Sequence, residues 1–183
     1  MAYKGLDKVI ENLKTKVSFS WLERSYGLAE RHVELREEKP YVFPAYYATA
    51  DADPISMMPS DIRSFCFWIR NGDAKFIDAE YAQLPLINYP LSLIFYMDIS
   101  KLGTNYKEVR SKVTEDIFNF FSTVHTGCIL TPLKFIEDDI TKVYDGFTLD
   151  SLDNKWKIYP KWCCRMDCEI KYRYSCYSLN TYA

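Results

Sequence analysis

The chain has 183 residues, a formal net charge of −2 and a sequence pI near 5.8. This balance gives no overall attraction to nucleic acid or to an anionic membrane. The length suits one domain over residues 1–183, large enough to bury a core without a metal or disulfides. The beginning has no apolar signal segment, and the longest apolar run, residues 91–97, is shorter than the ~20 residues that cross a bilayer. We therefore expect a cytoplasmic chain whose six cysteines are reduced thiols.

The first half of the sequence predicts one helix followed by strands. Apolar residues at helical spacing indicate an amphipathic helix over residues 3–16, after which the chain is expected to turn at Gly27. Alternation predicts a strand over residues 32–36, which the polar residues 37–40 break. Residues 41–47 are aromatic but contain a proline, so they are at best an edge strand or an extended segment.

A loop, a strand and a turn are expected next. Residues 51–60 are rich in proline and small polar residues, which predicts a loop. The bulky residues 64–70 predict a strand that is closed by a turn at residues 71–73. Residues 74–88 show no clear preference.

The second half predicts a central strand and a second helix. Residues 91–99 are the most apolar strand of the chain and are expected near the centre of a sheet. A helix is predicted over residues 105–124, with Val124 on its apolar face. Residues 128–136 predict a short strand interrupted by a proline, and residues 137–142 a polar surface connection.

The clearest pattern lies near the C-terminus, where apolar and charged residues alternate. A period of two predicts a long strand from Cys164 to Cys176, with one face buried and the other solvated or against a partner. The apolar set is Met166, Cys168, Ile170 and Tyr172, and the charged set is Asp167, Glu169, Lys171 and Arg173. The predicted fold class is therefore α/β (α+β), with a mixed, largely antiparallel sheet flanked by two main helices and ending in a long C-terminal strand.

One constellation suggests metal-dependent nuclease chemistry. Asp167, Glu169 and Lys171 form a D-x-E-x-K pattern on one strand face, where two carboxylates can hold a hard cation and the lysine can stabilise a phosphate. Sites of this pattern also use a Pro-Asp dipeptide ahead of the strand, which this sequence does not contain. A solvated charged face is the favoured interpretation.

Cysteine and histidine offer two further kinds of site. Cys164 and Cys168 have a spacing used by structural zinc, but four residues of strand separate them by about 13 Å. Cys163 and Cys176 are the other cysteines of this C-terminal cluster. A Cys-His nucleophile from Cys128 and His125 lacks an orienting carboxylate nearby. We therefore predict no catalytic residue, no metal and no cofactor.

The order of several segments carries a resemblance to a known family. After the opening helix, the segments are Trp21-Leu22, Tyr26-Gly27-Leu28-Ala29-Glu30-Arg31, residues 41–47 around Pro44, Met58-Pro59-Ser60-Asp61 ahead of Phe65-Cys66-Phe67-Trp68, Tyr89-Pro90-Leu91-Ser92-Leu93-Ile94, Val143-Tyr144-Asp145-Gly146-Phe147-Thr148-Leu149-Asp150, Ile158-Tyr159-Pro160-Lys161-Trp162, and the long alternating strand that ends at Cys176. In this order they resemble the small neck proteins of tailed bacteriophages, of the head-tail connector and tail-terminator type, as in phages of gut Bacteroidetes-type bacteria.

The resemblance implies a structural virion protein without enzymatic activity. Such a chain would form a ring of about six or twelve copies, assembled in the host cytoplasm, and act as a connector, stopper or tail terminator. Its partners would be copies of itself and neighbouring portal, connector or tail proteins, with DNA contacted at most through the ring lumen and no membrane. The alternatives are the nuclease-like enzyme and a small non-viral binding module.

Two groups of side chains are the candidate subunit contacts, because both combine polar tips with large contact area or mixed charge. The groups are the aromatic Tyr41, Phe43, Tyr46 and Tyr47, and the charged Asp167, Glu169, Lys171 and Arg173.

Overall fold

The computed structural model describes residues 5–49, 51–77, 86–125, 127–150 and 152–173. Its helices are α1 (Leu6–Lys14), α2 (Tyr106–Ser122) and the short α3 (Ile140–Val143). Its strands are β1 (Arg24–Arg36), β2 (Lys39–Tyr46), β3 (Ile55–Ser56), β4 (Ser64–Arg70), β5 (Lys75–Ile77), β6 (Leu86–Asp98), β7 (Ile129–Glu137) and β8 (Lys161–Arg173).

The described strands form one open, mixed sheet in the order β3-β2-β1-β4-β6-β8-β7. β1 and β4 are parallel, and the other neighbouring strands are antiparallel. β5 pairs with β6 beyond the end of β4, so β4 and β5 lie along the same edge of β6. The predicted mixed, largely antiparallel sheet with a long C-terminal strand is confirmed.

The strand directions give the sheet two distinct ends. The β1–β2 turn and the last residues of β8 lie at one end, which we call the hairpin end. The last residues of β6 and the first residues of β4 and β8 lie at the opposite end, which we call the pocket end.

The core covers both faces of the sheet. One face packs against α1 and α2 and buries Trp68 and Phe95 with the apolar residues of β8. The other face packs against α3 and the chain that follows it, around Phe67, Tyr96 and Tyr144. β6 contributes to both clusters, and residues 91–99 are buried throughout. The prediction that this segment is a central strand is confirmed.

Gly27 does not turn the chain, so that prediction is wrong. β1 runs through it, with a register irregularity against β4 between Ser25 and Leu28. A β-carbon on Gly27 would lie 2.2 Å from the Glu11 Oε1 atom of α1 and 3.0 Å from the Tyr46 ring. The glycine therefore permits close packing of the sheet against α1, which a local turn signal cannot distinguish from a bend.

Three other segments differ from their predictions. The expected loop at residues 51–60 contains the short strand β3. β2 pairs with β1 along its length, whereas β3 covers its other side only at Ala45 and Tyr46, so residues 41–44 stay at the sheet edge as expected and residues 45–46 lie one strand inside it. Val124 is 94% exposed and lies beyond the end of α2, because Thr123 already leaves the helical conformation.

The alternation along β8 is confirmed over the described residues. Met166, Cys168, Ile170 and Tyr172 are buried, and the intervening charged residues are half-buried or exposed. The last part of the predicted strand, residues 174–176, lies outside the described residues.

Candidate subunit-contact surfaces

Most charged side chains on the solvent-facing side of β8 form hydrogen bonds or ion pairs with other residues of the chain. Both carboxylate oxygens of Asp167 accept hydrogen bonds from Arg165, from Nε at 2.6 Å and from Nη2 at 3.2 Å. The buried Ser92 hydroxyl also donates to Asp167, and Asn71 donates to that hydroxyl in turn. Lys171 lies 3.8 Å from Glu169, and Arg173 is exposed at the hairpin end. The D-x-E-x-K residues do share one face, as the alternation predicts.

This arrangement differs from a metal-holding carboxylate pair. The bidentate guanidinium of Arg165 already neutralises Asp167 and uses both of its oxygens. Within the described ranges, no three His, Cys, Asp or Glu side chains are grouped so that they could hold a metal ion. What the face offers is mixed charge at Glu169, Lys171 and Arg173.

The cysteines of β8 lie on both faces of the sheet. Cys163 belongs to the cluster around Tyr144, whereas Cys164 and Cys168 belong to the cluster under the two main helices. Burial raises the pKa of the Cys66 and Cys163 thiols to about 12, and it raises the pKa of Cys164 and Cys168 as well. Protonated, buried thiols are poor nucleophiles and poor metal ligands. Cys176 lies outside the described residues.

We expect the described thiols to resist chemical labelling. In a Cys176→Ser variant, the five remaining cysteines should be almost unreactive toward a water-soluble disulfide reagent in the native state. A pKa of about 12 in place of the ordinary 9.0 lowers the thiolate fraction about a thousandfold, in addition to the barrier that burial imposes. All of them should react in denaturant, and elemental analysis of the native wild-type chain should find no stoichiometric zinc. Rapid native labelling, or one zinc per chain, would contradict these environments.

His125 and Cys128 lie together near the end of α2, but their environment suits packing. The imidazole Nε2 donates to the Phe120 carbonyl at 2.9 Å, and its ring lies 4.7 Å from the Phe120 ring. Burial lowers the pKa of His125 and raises the pKa of Cys128. A thiolate–imidazolium pair needs the opposite shifts.

The aromatic segment around β2 is only partly available for contacts. Phe43 and Tyr46 are buried in the core of the subunit, so they do not lie on its surface, and that part of the predicted contact group is wrong. The sequence could not show this, because β3 and the chain after α3 cover β2 from distant positions. Tyr41 and Tyr47 are half-buried. The Arg36 guanidinium lies over the Tyr41 ring, 3.6 Å from its centre, and the Tyr47 hydroxyl is hydrogen-bonded to His32 Nδ1 at 2.8 Å.

A cleft of about 890 Å³ opens between β1 and β6 beyond the end of β4. Its wall carries three carboxylates and three guanidiniums, namely Asp7, Glu30, Asp145, Arg31, Arg70 and Arg165. Burial, together with the charge of Glu30, raises the pKa of Asp7. Because the charges balance, the cleft has no marked preference for a ligand of either sign.

The β1–β2 turn forms a projecting surface at the hairpin end. We call residues 33–39 the hairpin tip. Leu35 is 79% exposed and Val33 is 56% exposed. Glu34 is neutralised by Arg36 at 3.1 Å, whereas Glu37 and Glu38 form no salt bridge with any residue that the structure describes. The tip therefore exposes two apolar side chains beside the two unpaired carboxylates of Glu37 and Glu38 and the ammonium of Lys39, which also forms no salt bridge with a described residue, so its unpaired charge is net negative.

A small pocket of about 170 Å³ lies at the pocket end, which we call the aromatic pocket. Its wall is rich in rings and lysines, including Tyr96, Tyr106, Trp156, Lys157, Tyr159, Lys161 and Trp162. Lys155 and Lys161 lie over the Trp156 ring at 4.6 and 5.2 Å from its centre. At the rim, Ile158 is 61% exposed and Tyr159 is 68% exposed.

Neither the hairpin tip nor the aromatic pocket was among the predicted contact residues, although Tyr159, Lys161 and Trp162 of the pocket belong to a segment that carries the resemblance. A signal for the pocket exists, because residues 155–162 interleave three lysines with three aromatic residues. The tip gives a weaker signal, since Glu37 and Glu38 simply separate two strand patterns.

Comparison with known proteins adds no family. No family model, curated protein or solved structure matches this chain. In the part of the chain that the structure describes, no helix combines the length and the apolar character needed to cross a membrane.

Proposed function

We propose that this chain is a structural subunit that assembles into a ring at the head-tail junction or the tail end of a tailed bacteriophage. The proposal joins the segment-order resemblance to the character of the surface. It assigns the chain the role of a connector, stopper or tail terminator, with copies of itself and neighbouring portal or tail proteins as partners.

The observation that carries the proposal is the placement of exposed apolar side chains. Most of them occur at the ends and along the edges of the sheet, including Leu35, Phe76, Ile129, Leu133, Ile158 and Tyr159, whereas Phe118 and Val124 lie on and just beyond α2. Single exposed apolar residues are ordinary, but several at the ends and edges of one sheet favour contact with other chains. The near-neutral charge agrees with a protein that associates through shape and local charge pairs.

The chemistry of the described side chains also favours a contact role. The thiols are buried, Asp167 is neutralised by Arg165, and His125 is packed on Phe120. These side chains are bound to neighbours within the chain, whereas the surface exposes apolar groups.

The test is the presence of the protein in tailed phage particles made by cells that carry its gene. Quantitative mass spectrometry of purified particles is expected to find the chain at several copies per particle, and electron microscopy with a specific antibody should place it at the neck or tail end. Its absence from intact particles would contradict the proposal. So would metal-dependent DNA cleavage by the purified protein that is lost in Asp167→Asn but kept in Asp153→Asn, an exposed control.

A further inference from the structure

The turn of the hairpin tip holds two residues in a backbone conformation that is unfavourable for them. Glu37 and Glu38 have φ angles of 50° and 63°, in the left-handed region, and form a two-residue turn between the paired Arg36 and Lys39. Such turns favour Asn-Gly, and a residue with a β-carbon costs about 1 kcal/mol or more at each left-handed position. Strain of this kind at an exposed turn suggests that the two carboxylates have a role outside the subunit.

Two lysines near the aromatic pocket are available to pair with the carboxylates of the hairpin tip. Asp98 is paired with Lys161 at 2.5 Å, and Asp138 is paired with Arg110. Within the described chain Lys157 forms no salt bridge, and Lys155 has only an exposed one to Asp153 at 3.8 Å. Exposed pairs of that length contribute little, so Lys155 can exchange its partner at small cost.

We propose that the hairpin tip of one copy docks on the aromatic pocket of a second copy. Leu35 packs against Ile158 and Tyr159, and Glu37 and Glu38 face Lys157 and Lys155. In this arrangement the apolar side chains of the two surfaces pack together, and the carboxylates of the tip lie opposite the ammonium groups beside the pocket. This inference rests on the proposed function only in taking the partner to be a second copy of the chain.

The positions of the two surfaces favour a head-to-tail assembly. The tip and the pocket lie at opposite ends of the sheet, so each subunit can present its tip to one neighbour and its pocket to another. Contacts between different patches produce closed rings or open filaments, and a ring is the form that the proposed function requires.

The experiment is sedimentation velocity over a concentration series with variants at each surface. Leu35→Asp at the tip and Tyr159→Asp at the pocket should each weaken self-association at least tenfold. The matched control is Val124→Asp, which places the same charge at a 94% exposed position outside both surfaces and should associate like the wild type. Circular dichroism melts verify that each variant is folded.

Mixing the two variants identifies the direction of the contact. Leu35→Asp keeps an intact pocket and Tyr159→Asp keeps an intact tip, so an equimolar mixture should form dimers and nothing larger. In a second pair, Glu37→Lys with Glu38→Lys should weaken association, and combining these changes with Lys155→Glu and Lys157→Glu should restore it.

A turn variant separates assembly from stability. Glu37→Asn with Glu38→Gly relieves the left-handed strain and is expected to raise the melting temperature. It also removes both carboxylates, so self-association should weaken although the subunit becomes more stable. Loss of association in this variant cannot be caused by unfolding.

The outcomes distinguish this contact from the proposed function. Variants that associate like the wild type, a mixture without dimers, or a wild type that stays monomeric up to about 1 mM would overturn the docking. Association that depends on tip and pocket in a protein absent from phage particles would keep the docking and overturn the phage role. If the tip and pocket variants enter phage particles as well as the wild type does, the phage role is kept and the docking is overturned.

Discussion

Ile170→Asp is expected to abolish folded protein. Ile170 is fully buried in the C-terminal half of β8, in register with Tyr89 of β6 and Leu130 of β7. A carboxylate at this position would have apolar neighbours on both flanking strands. An uncompensated buried charge costs several kcal/mol against a total stability of about 5–15 kcal/mol. The soluble yield and the circular dichroism melt measure the effect.

Lys171→Glu is the matched control for this change. It alters the adjacent residue on the opposite, half-buried face, where its nearest charge is Glu169 at 3.8 Å. The substitution replaces a weak attraction by a weak repulsion, so the free energy of unfolding should fall by no more than about 1 kcal/mol. An Ile170→Asp variant as stable as Lys171→Glu would show that the buried face of β8 is wrongly assigned. A Lys171→Glu variant that folds but is missing from particles would identify the charged face of β8 as a subunit contact.

Asp98→Ala is expected to have the second-largest effect. Asp98 ends β6 in a buried position and accepts hydrogen bonds from Lys161 Nζ at 2.5 Å and Ser100 Oγ at 2.6 Å. Removing the carboxylate leaves the Lys161 ammonium, whose side chain is only 13% exposed, without its closest anion. Breaking a buried pair in this way costs about 3–5 kcal/mol. Asp153→Ala, at an exposed turn, is the control and should cost about 1 kcal/mol or less.

The same carboxylate should make stability depend on acid pH. Burial alone would raise the pKa of Asp98, but the hydrogen bonds from Lys161 and Ser100 and the charge of Lys161 outweigh it and lower the pKa below its ordinary 3.8. A pKa that is lower in the folded state means that this stabilisation is complete above the unfolded pKa and is lost as pH falls through the folded pKa. Urea unfolding below pH 3.8 should therefore show a steeper loss of stability in the wild type than in Asp98→Ala. If the wild type and Asp98→Ala lose stability equally steeply as the pH falls, this role for Asp98 is contradicted.

Local patterns in the sequence determined the main elements of the fold. The alternation along residues 164–172, the apolar run at residues 91–99 and the helical spacing at residues 105–122 each reflect a face or strand that must be buried. Burial of one face can be inferred from the period of the apolar residues, so these elements and the mixed, largely antiparallel sheet were predictable.

Only the tertiary structure decided which side chains are available at the surface. Phe43 and Tyr46 have the composition of a contact surface, yet β3 and distant chain segments cover them. Asp167 has the spacing of a metal ligand, yet Arg165 binds both of its oxygens. The hairpin tip and the aromatic pocket arise from distant parts of the chain, at opposite ends of the sheet. Periodicity reports whether a residue is buried by its own element, whereas exposure, charge pairing and the direction of a surface depend on which other elements the chain brings beside it.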